Sequence, residues 1–240
     1  MSWIIVTGDS GALGHEIVKI LLGNEYSVIG ISRTENDNIV KLMQQYNDKY
    51  IHVNFDLSKS EQVKNLYRQH IKPIGSISGI VNNSANAYDD IVTNIQLDKL
   101  ETMFAVNVFS PMLLTKYAIR DMLLNDIKGS IVHVSSVSAH TGYKGLSMYA
   151  ATKGALEAFS KGTAREWGEK GIRSNCVVPG FMETAMSSSL SSEQKKRIYN
   201  RTSLKKATEA SSVAEMTMLL LSDKASSITG EVIHVDCGTI

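Results

Sequence analysis

Thr7-Gly8-Asp9-Ser10-Gly11-Ala12-Leu13-Gly14 is the stretch whose reading decides the fold. It follows the short apolar run Trp3 to Val6 and leads into a helical pattern over His15 to Leu22, so its glycines lie where a strand turns into a helix. A glycine turn there lets the backbone approach a pyrophosphate, and the amides and positive dipole of the new helix hold its charge. Spaced glycines also arise in plain β-to-α turns, which is the competing reading. The strand before and the amphipathic helix after are the context a dinucleotide site needs.

The same alternation continues along the chain. Val- and Ile-rich runs at Trp3 to Val6, Ser27 to Ile31, Tyr50 to Phe55, Ile77 to Val81, Ser130 to Val134, Arg173 to Val178 and Glu231 to Val235 predict seven strands. Helical periods fall between them at His15 to Leu22, Ile39 to Tyr46, Ser60 to His70, Asp98 to Leu124, Ser147 to Lys170 and Ser211 to Leu221. Repeated β-α-β units of this kind predict a doubly wound, Rossmann-type α/β fold, a seven-stranded parallel sheet with helices on both faces. Gly23-Asn24 and Gly171 read as helix stops. No Pro/Gly/Ser linker and no repeat divides the chain, so residues 1–240 are expected to form one dinucleotide-binding catalytic domain.

Composition narrows the ligand. With 25 basic and 24 acidic side chains the formal charge is +1, a field that favours neither nucleic acid nor an anionic membrane. The opening residues are too short and uncharged for a secretory signal, and no apolar run approaches the roughly 20 residues of a membrane helix, so a cytoplasmic protein is expected. Cys176 and Cys237 form no CxxC pair and have no metal-ligand partners in sequence; they read as free thiols, and no metal is expected.

The end of the second strand bears on which dinucleotide binds. An acidic side chain there would accept the ribose 2′-hydroxyl and repel a 2′-phosphate, whereas this chain has Ser32-Arg33-Thr34. A guanidinium beside two hydroxyls suits a phosphate monoester, which favours NADP(H) and leaves NAD(H) possible; the alternative is a solvent-facing loop charge. A second constellation, Tyr149-Ala150-Ala151-Thr152-Lys153, sets a phenol and an ammonium four residues apart on one helical face. A tyrosine of pKa about 10 is a poor base at neutral pH, and a nearby cation is expected to lower that value. Ser135-Ser136 closes the fifth strand at the carboxyl edge where α/β ligands bind. Asn107, by itself, reads as a buried amide satisfying backbone groups, and His133 as a packed strand residue between Val132 and Val134.

These residues, with Asp56-Leu57, Asn82-Asn83-Ser84-Ala85 and Pro179-Gly180 leading to Thr184, resemble the single-domain branch of the short-chain dehydrogenase/reductase family over nearly the whole length. The resemblance implies a catalytic tetrad. Tyr149 would be acid/base and Ser136 a donor to the reacting oxygen. Lys153 would hold the ribose hydroxyls and tune Tyr149, and Asn107 would hold a relay water. It also implies dinucleotide contacts at Gly8, Ser10, Leu13, Gly14, Ser32, Arg33, Asp56, Leu57, Asn83, Tyr149, Lys153, Pro179, Gly180, Met182 and Thr184. Such a site moves hydride between a nicotinamide and a carbonyl or secondary alcohol while a proton goes to the oxygen.

Some positions depart from that pattern. Ala12 stands where this branch has its second glycine, and Gly11 creates the spacing of extended members, commonly sugar-nucleotide epimerases. Only 56 residues follow Thr184, too few for a separate substrate domain beside the expected last helix and strand. From Tyr149 onward the chain is most similar to 3-oxoacyl-[acyl-carrier-protein] reductases, notably at Val178 to Thr184 and Ile228 to Asp236. This implies a fatty-acid-synthesis 3-oxoacyl thioester substrate, with a sugar, polyketide or other small carbonyl as the alternative. Lys170 matches one basic carrier-docking position and Ile127 replaces another. The serine-rich stretch Ser187 to Ser192 lies within an expected substrate lid over residues 181–210, and otherwise reads as a solvated loop and helix cap. The long helices, with Met103, Phe104, Met112, Leu113, Ala155, Phe159 and Trp167, imply a homotetramer, or else ordinary core packing. A dinucleotide-binding regulator and a structural subunit remain as non-catalytic alternatives; neither has a use for Tyr149, Lys153 and Ser136 together.

Overall fold

The computed structural model describes residues 2–184 and 191–239. Its strands are β1 (Ser2–Thr7), β2 (Ser27–Ser32), β3 (Tyr50–Asn54), β4 (Ser76–Asn82), β5 (Ser130–Val134), β6 (Arg173–Pro179) and β7 (Val232–Val235). All pair in parallel in the order β3-β2-β1-β4-β5-β6-β7. The chain therefore reverses its direction of winding between β1 and β4, which opens a crevice at the carboxyl ends of these two strands.

Alternation along each strand divides the core. Ile4, Val6, Val28, Val132, Val134 and Val177 face one side, covered by α1 (Ala12–Gly23), α2 (Asp37–Gln45) and α8 (Ala210–Leu221). Trp3, Ile5, Ile29, Ile31, Ile77 and Ile131 face the other, covered by α3 (Val63–Leu66) and α5 (Ser110–Leu124). Burial on both faces explains why the strands read as continuous apolar runs rather than alternating ones.

Two of the expected helical periods are interrupted. The Ser60 to His70 segment consists of a 3₁₀ turn, α3 and a π turn at Tyr67–Ile71. The Asp98 to Leu124 segment consists of α4 (Leu97–Phe104), a π turn at Ala105–Phe109 and α5. α6 (Ser147–Trp167) is continuous, and its trailing 3₁₀ turn ends at Gly171, whose φ of 74° is the left-handed stop expected there. One helix escaped the periodicity: α7 (Ser192–Arg201), which buries no residue. Ser187 to Leu190 lie outside the described residues, but Ser191 caps α7 through a capping box with Gln194.

Among the expected helix-face apolar residues, Met103 is in the core, and Leu113 and Trp167 pack against it. Among the described residues, the large apolar side chains left exposed are Ile91, Val92, Ile95, Leu97, Phe109, Leu123, Leu124 and Leu204. Among the described residues, no helix is long and apolar enough to cross a membrane, and no cluster of His, Cys, Asp or Glu has metal-binding geometry.

Candidate active site

The glycine turn works through close backbone approach. Gly8 has φ 74°, and a Cβ on Gly14 would stand 2.0 Å from the Gly8 carbonyl oxygen, so neither position tolerates a side chain without a shift. α1 begins with no side-chain cap on Gly11 and no acidic residue in its first turn. The amides of that turn are thus left for an external acceptor, which fits a pyrophosphate. The Leu13 side chain is in the core, so only its backbone can serve the phosphates. Asn83 ties the end of β4 to this turn: its Nδ2 donates to Thr7 O at 2.9 Å, and its amide donates to Thr7 Oγ1 at 3.0 Å.

A residue the sequence reading passed over anchors the turn from the other side. Asp9 is 1% exposed; its Oδ2 accepts the Tyr50 hydroxyl at 2.6 Å and faces His52 Nδ1 at 2.7 Å. Gly30 makes room for it, since a Cβ there would meet Asp9 Oδ2 at 1.9 Å. Burial pulls the His52 pKa down, but the Asp9 hydrogen bond and charge outweigh it and raise the net value. The only sequence signal was an acid within the turn opposite an alternating Tyr-x-His on β3.

At the end of β2, Ser32 is buried with its hydroxyl donating to Thr34 O at 3.3 Å, whereas Arg33 is exposed. Asp56 lies within the field of Arg33; burial raises its pKa, and hydrogen bonds from Ser58 with the Arg33 charge bring it below the ordinary value. Leu57 is buried, and its carbonyl accepts Ser110 Oγ at 2.6 Å. Pro179 ends β6, and Gly180 fits where a Cβ would meet Thr208 and Asp236. Met182 and Thr184 follow in the segment leaving that strand.

Ser136 follows β5 in an extended conformation and caps a 3₁₀ turn, Val137–Ala139. Its hydroxyl faces the half-buried phenol of Tyr149, which α6 presents from the opposite wall. Lys153, one turn later, is 1% exposed, donates from Nζ to Val134 O at 2.8 Å and stands 5.6 Å from the centroid of the Tyr149 ring. The Tyr149 pKa is not lowered as expected. Burial, aided by the Asp89 charge, pushes it up to about 12 against the opposing effect of the Ser136 hydroxyl. The lysine reaches over the ring and directs one of its three donors to a backbone carbonyl, so desolvation dominates at the phenol. Burial brings Lys153 itself down to about 8, with Cys176 and Glu157 opposing.

Asn107 sits in the π turn between α4 and α5, fully buried. Its Nδ2 donates to Asn86 O at 2.8 Å and Thr152 Oγ1 at 3.0 Å, and its Oδ1 accepts Asn86 N at 2.7 Å. The expected amide-satisfying role is therefore present, and one Oδ1 lone pair remains for a water. His133 is buried, with its pKa lowered to about 3 by burial and by Lys153; it packs edge-on against Phe159, as a strand residue should.

In chemical terms this edge offers a phosphate cradle, a neutral phenol facing a serine, and a buried cation. A family model described as enoyl-(acyl carrier protein) reductase matches residues 9–239. L-xylulose reductase of Caenorhabditis elegans is 34% identical, over 98% of this chain and 94% of its own length. The 3-oxoacyl-[acyl-carrier-protein] reductase FabG of Salmonella typhimurium is 31% identical, over 98% and 95%. A solved structure, 4-hydroxyisoleucine dehydrogenase complexed with NADH, superposes with a TM-score of 0.93 at 26% identity, covering 100% of this chain and 98% of that one.

Proposed function

The chain belongs to the short-chain dehydrogenase/reductase family and is an NAD(P)-dependent oxidoreductase, and from that premise we propose that it reduces the 3-oxo group of an acyl thioester with NADPH. The observation that carries this reading is the convergence at the sheet edge of Ser136, just after β5, with Tyr149 and buried Lys153, one turn apart on α6. The bound dinucleotide supplies the hydride. Ser136 orients and polarises the carbonyl oxygen, and Tyr149, a phenol at neutral pH because its pKa lies near 12, donates the proton. Lys153 holds the ribose hydroxyls from within the wall, and Asn107 positions a water through its remaining lone pair. The turn at Gly8 to Gly14 with Ser10 binds the pyrophosphate, Asp56 and Leu57 flank the adenine, Asn83 a ribose, and Pro179, Gly180, Met182 and Thr184 the nicotinamide end.

NADP(H) is assigned through Arg33, which is exposed and free to meet a 2′-phosphate. The thioester is assigned through the 31% identity to FabG over nearly the whole chain; an acyl carrier protein would then present it, residues 181–210 would cover it, and the enzyme would work as a cytoplasmic homotetramer. The second reading is a sugar carbonyl, favoured by the higher identity to L-xylulose reductase. A panel of acetoacetyl thioesters, sugars, steroids and small ketones, each with NADPH and NADH, separates them. The highest kcat/KM is expected for an acetoacetyl thioester with NADPH, and a higher value for a pentulose would replace the thioester assignment.

A further inference from the structure

Glu157 lies on α6 two turns beyond Tyr149 and one turn beyond Lys153, on the same helical face. A single oxygen of its carboxylate, Oε1, accepts the Ser135 hydroxyl in a short hydrogen bond and meets His140 Nε2 at 2.9 Å. Ser135 and His140 bracket the segment that contains Ser136. The backbone of that segment is held by Ser135 N donating to Val177 O at 2.8 Å and by its own 3₁₀ turn, whereas the Ser136 side chain bonds locally, with Oγ accepting from the Ser138 amide at 3.2 Å and the Ser138 hydroxyl at 3.0 Å. The carboxylate is largely buried, with a side-chain exposure of 12%, so its bonds are formed away from competing water. His140 is backed in turn by His234 of β7, whose ring lies edge-on at 4.6 Å and faces Asp236 at 3.9 Å.

We propose that Glu157 is a positioning residue for the reaction: it clasps both ends of the Ser136 segment to the helix that carries Tyr149 and Lys153, and so sets the distance between the serine and the phenol. This rests on the roles given to Ser136, Tyr149 and Lys153 above. The groups facing Glu157 are Ser135, His140, Lys153 and Cys176, with His234 and Asp236 one step further out. Its negative charge also supports the ammonium of Lys153, which burial disfavours. The two effects separate by substitution. A glutamine keeps a carbonyl oxygen able to accept from both donors but removes the charge; a leucine removes both.

The test uses NADPH with acetoacetyl-CoA, or with the panel compound of highest turnover if that is another. Glu157→Leu is expected to lower kcat about tenfold to a hundredfold, the scale of a reactive group displaced by about an ångström, with the Kd for NADPH largely unchanged. Glu157→Gln is expected to keep most of kcat while the alkaline limb of its pH profile moves to lower pH, because Lys153 loses a supporting charge. If the leucine variant fails to fold, Ser135→Ala combined with His140→Leu removes both donors and leaves the carboxylate; the same fall in kcat is expected. Parental kcat in a folded Glu157→Leu or in that double variant overturns the proposal, as does a glutamine variant as impaired as the leucine. Tyr149→Phe assayed alongside keeps the two failures apart: if it stays active, the mechanism is wrong; if it is inactive while the clasp variants are not, only the clasp is wrong.

Discussion

Arg33 and Lys153 are the two cations of the site, and they differ in what surrounds them. Arg33 is exposed, so its hold on a 2′-phosphate is screened, and the expected preference for NADPH is on the order of tenfold to a hundredfold in kcat/KM. Ser32→Asp with Arg33→Ile should reverse that preference by offering a carboxylate to the ribose hydroxyls; equal values for both cofactors in the parent would remove the assignment. Lys153 is buried, with its pKa brought from 10.5 to about 8. Between those values the unfolded chain binds more protons than the folded one, so stability rises with pH across that window. Urea unfolding should show this rise in the parent and lose it in Lys153→Met; parallel curves would mean that the lysine is not desolvated. Tyr149, Lys153 and Ser136 were legible because helical spacing and a strand end place them. Asp9 and Glu157 were not, because their partners come from β3 and from the turn after β5, many residues away, and no local pattern marks such contacts.

Elements were legible where burial imposes a period. All seven strands fall within a residue or two of the apolar runs, since the five inner strands are buried on both faces and the half-buried edge strands β3 and β7 keep apolar residues against the core. The π turn at Ala105–Phe109 was hidden because one extra residue in a helical turn barely changes a hydrophobic pattern, yet it is what turns Asn107 inward. Asn107→Ala should destabilise the protein by about 2 to 4 kcal/mol, because the three hydrogen bonds of a fully buried amide are lost and the Asn86 backbone N–H and C=O lose their partner. Thermal unfolding checks it; a change within the range of a surface substitution would show that the amide carries little of this junction. α7 escaped notice for the opposite reason. It buries nothing, and its signal lies in the cap, Ser191 with Gln194, rather than in a stripe.

At the scale of the molecule, the reversal of winding between β1 and β4 brings the turn after β1 and the ends of β4, β5 and β6 to one edge of the sheet. The parallel seven-stranded sheet was legible from the alternation of elements; the partners across it were not, because strand order is set by long-range pairing. Exposed Leu97, Phe109 and Leu124 lie on or beside α4 and α5, the helices expected to meet other subunits. Light scattering at micromolar concentration should report a tetramer, and a monomer alone would refute that assembly. The central claim is that Tyr149 delivers the proton while the rest of the site holds the dinucleotide. Its most direct test is Tyr149→Phe, measured for NADPH binding by fluorescence titration and for turnover with the best carbonyl of the panel. A near-parental Kd with turnover almost abolished is the predicted result; a variant that keeps most of its turnover would contradict it.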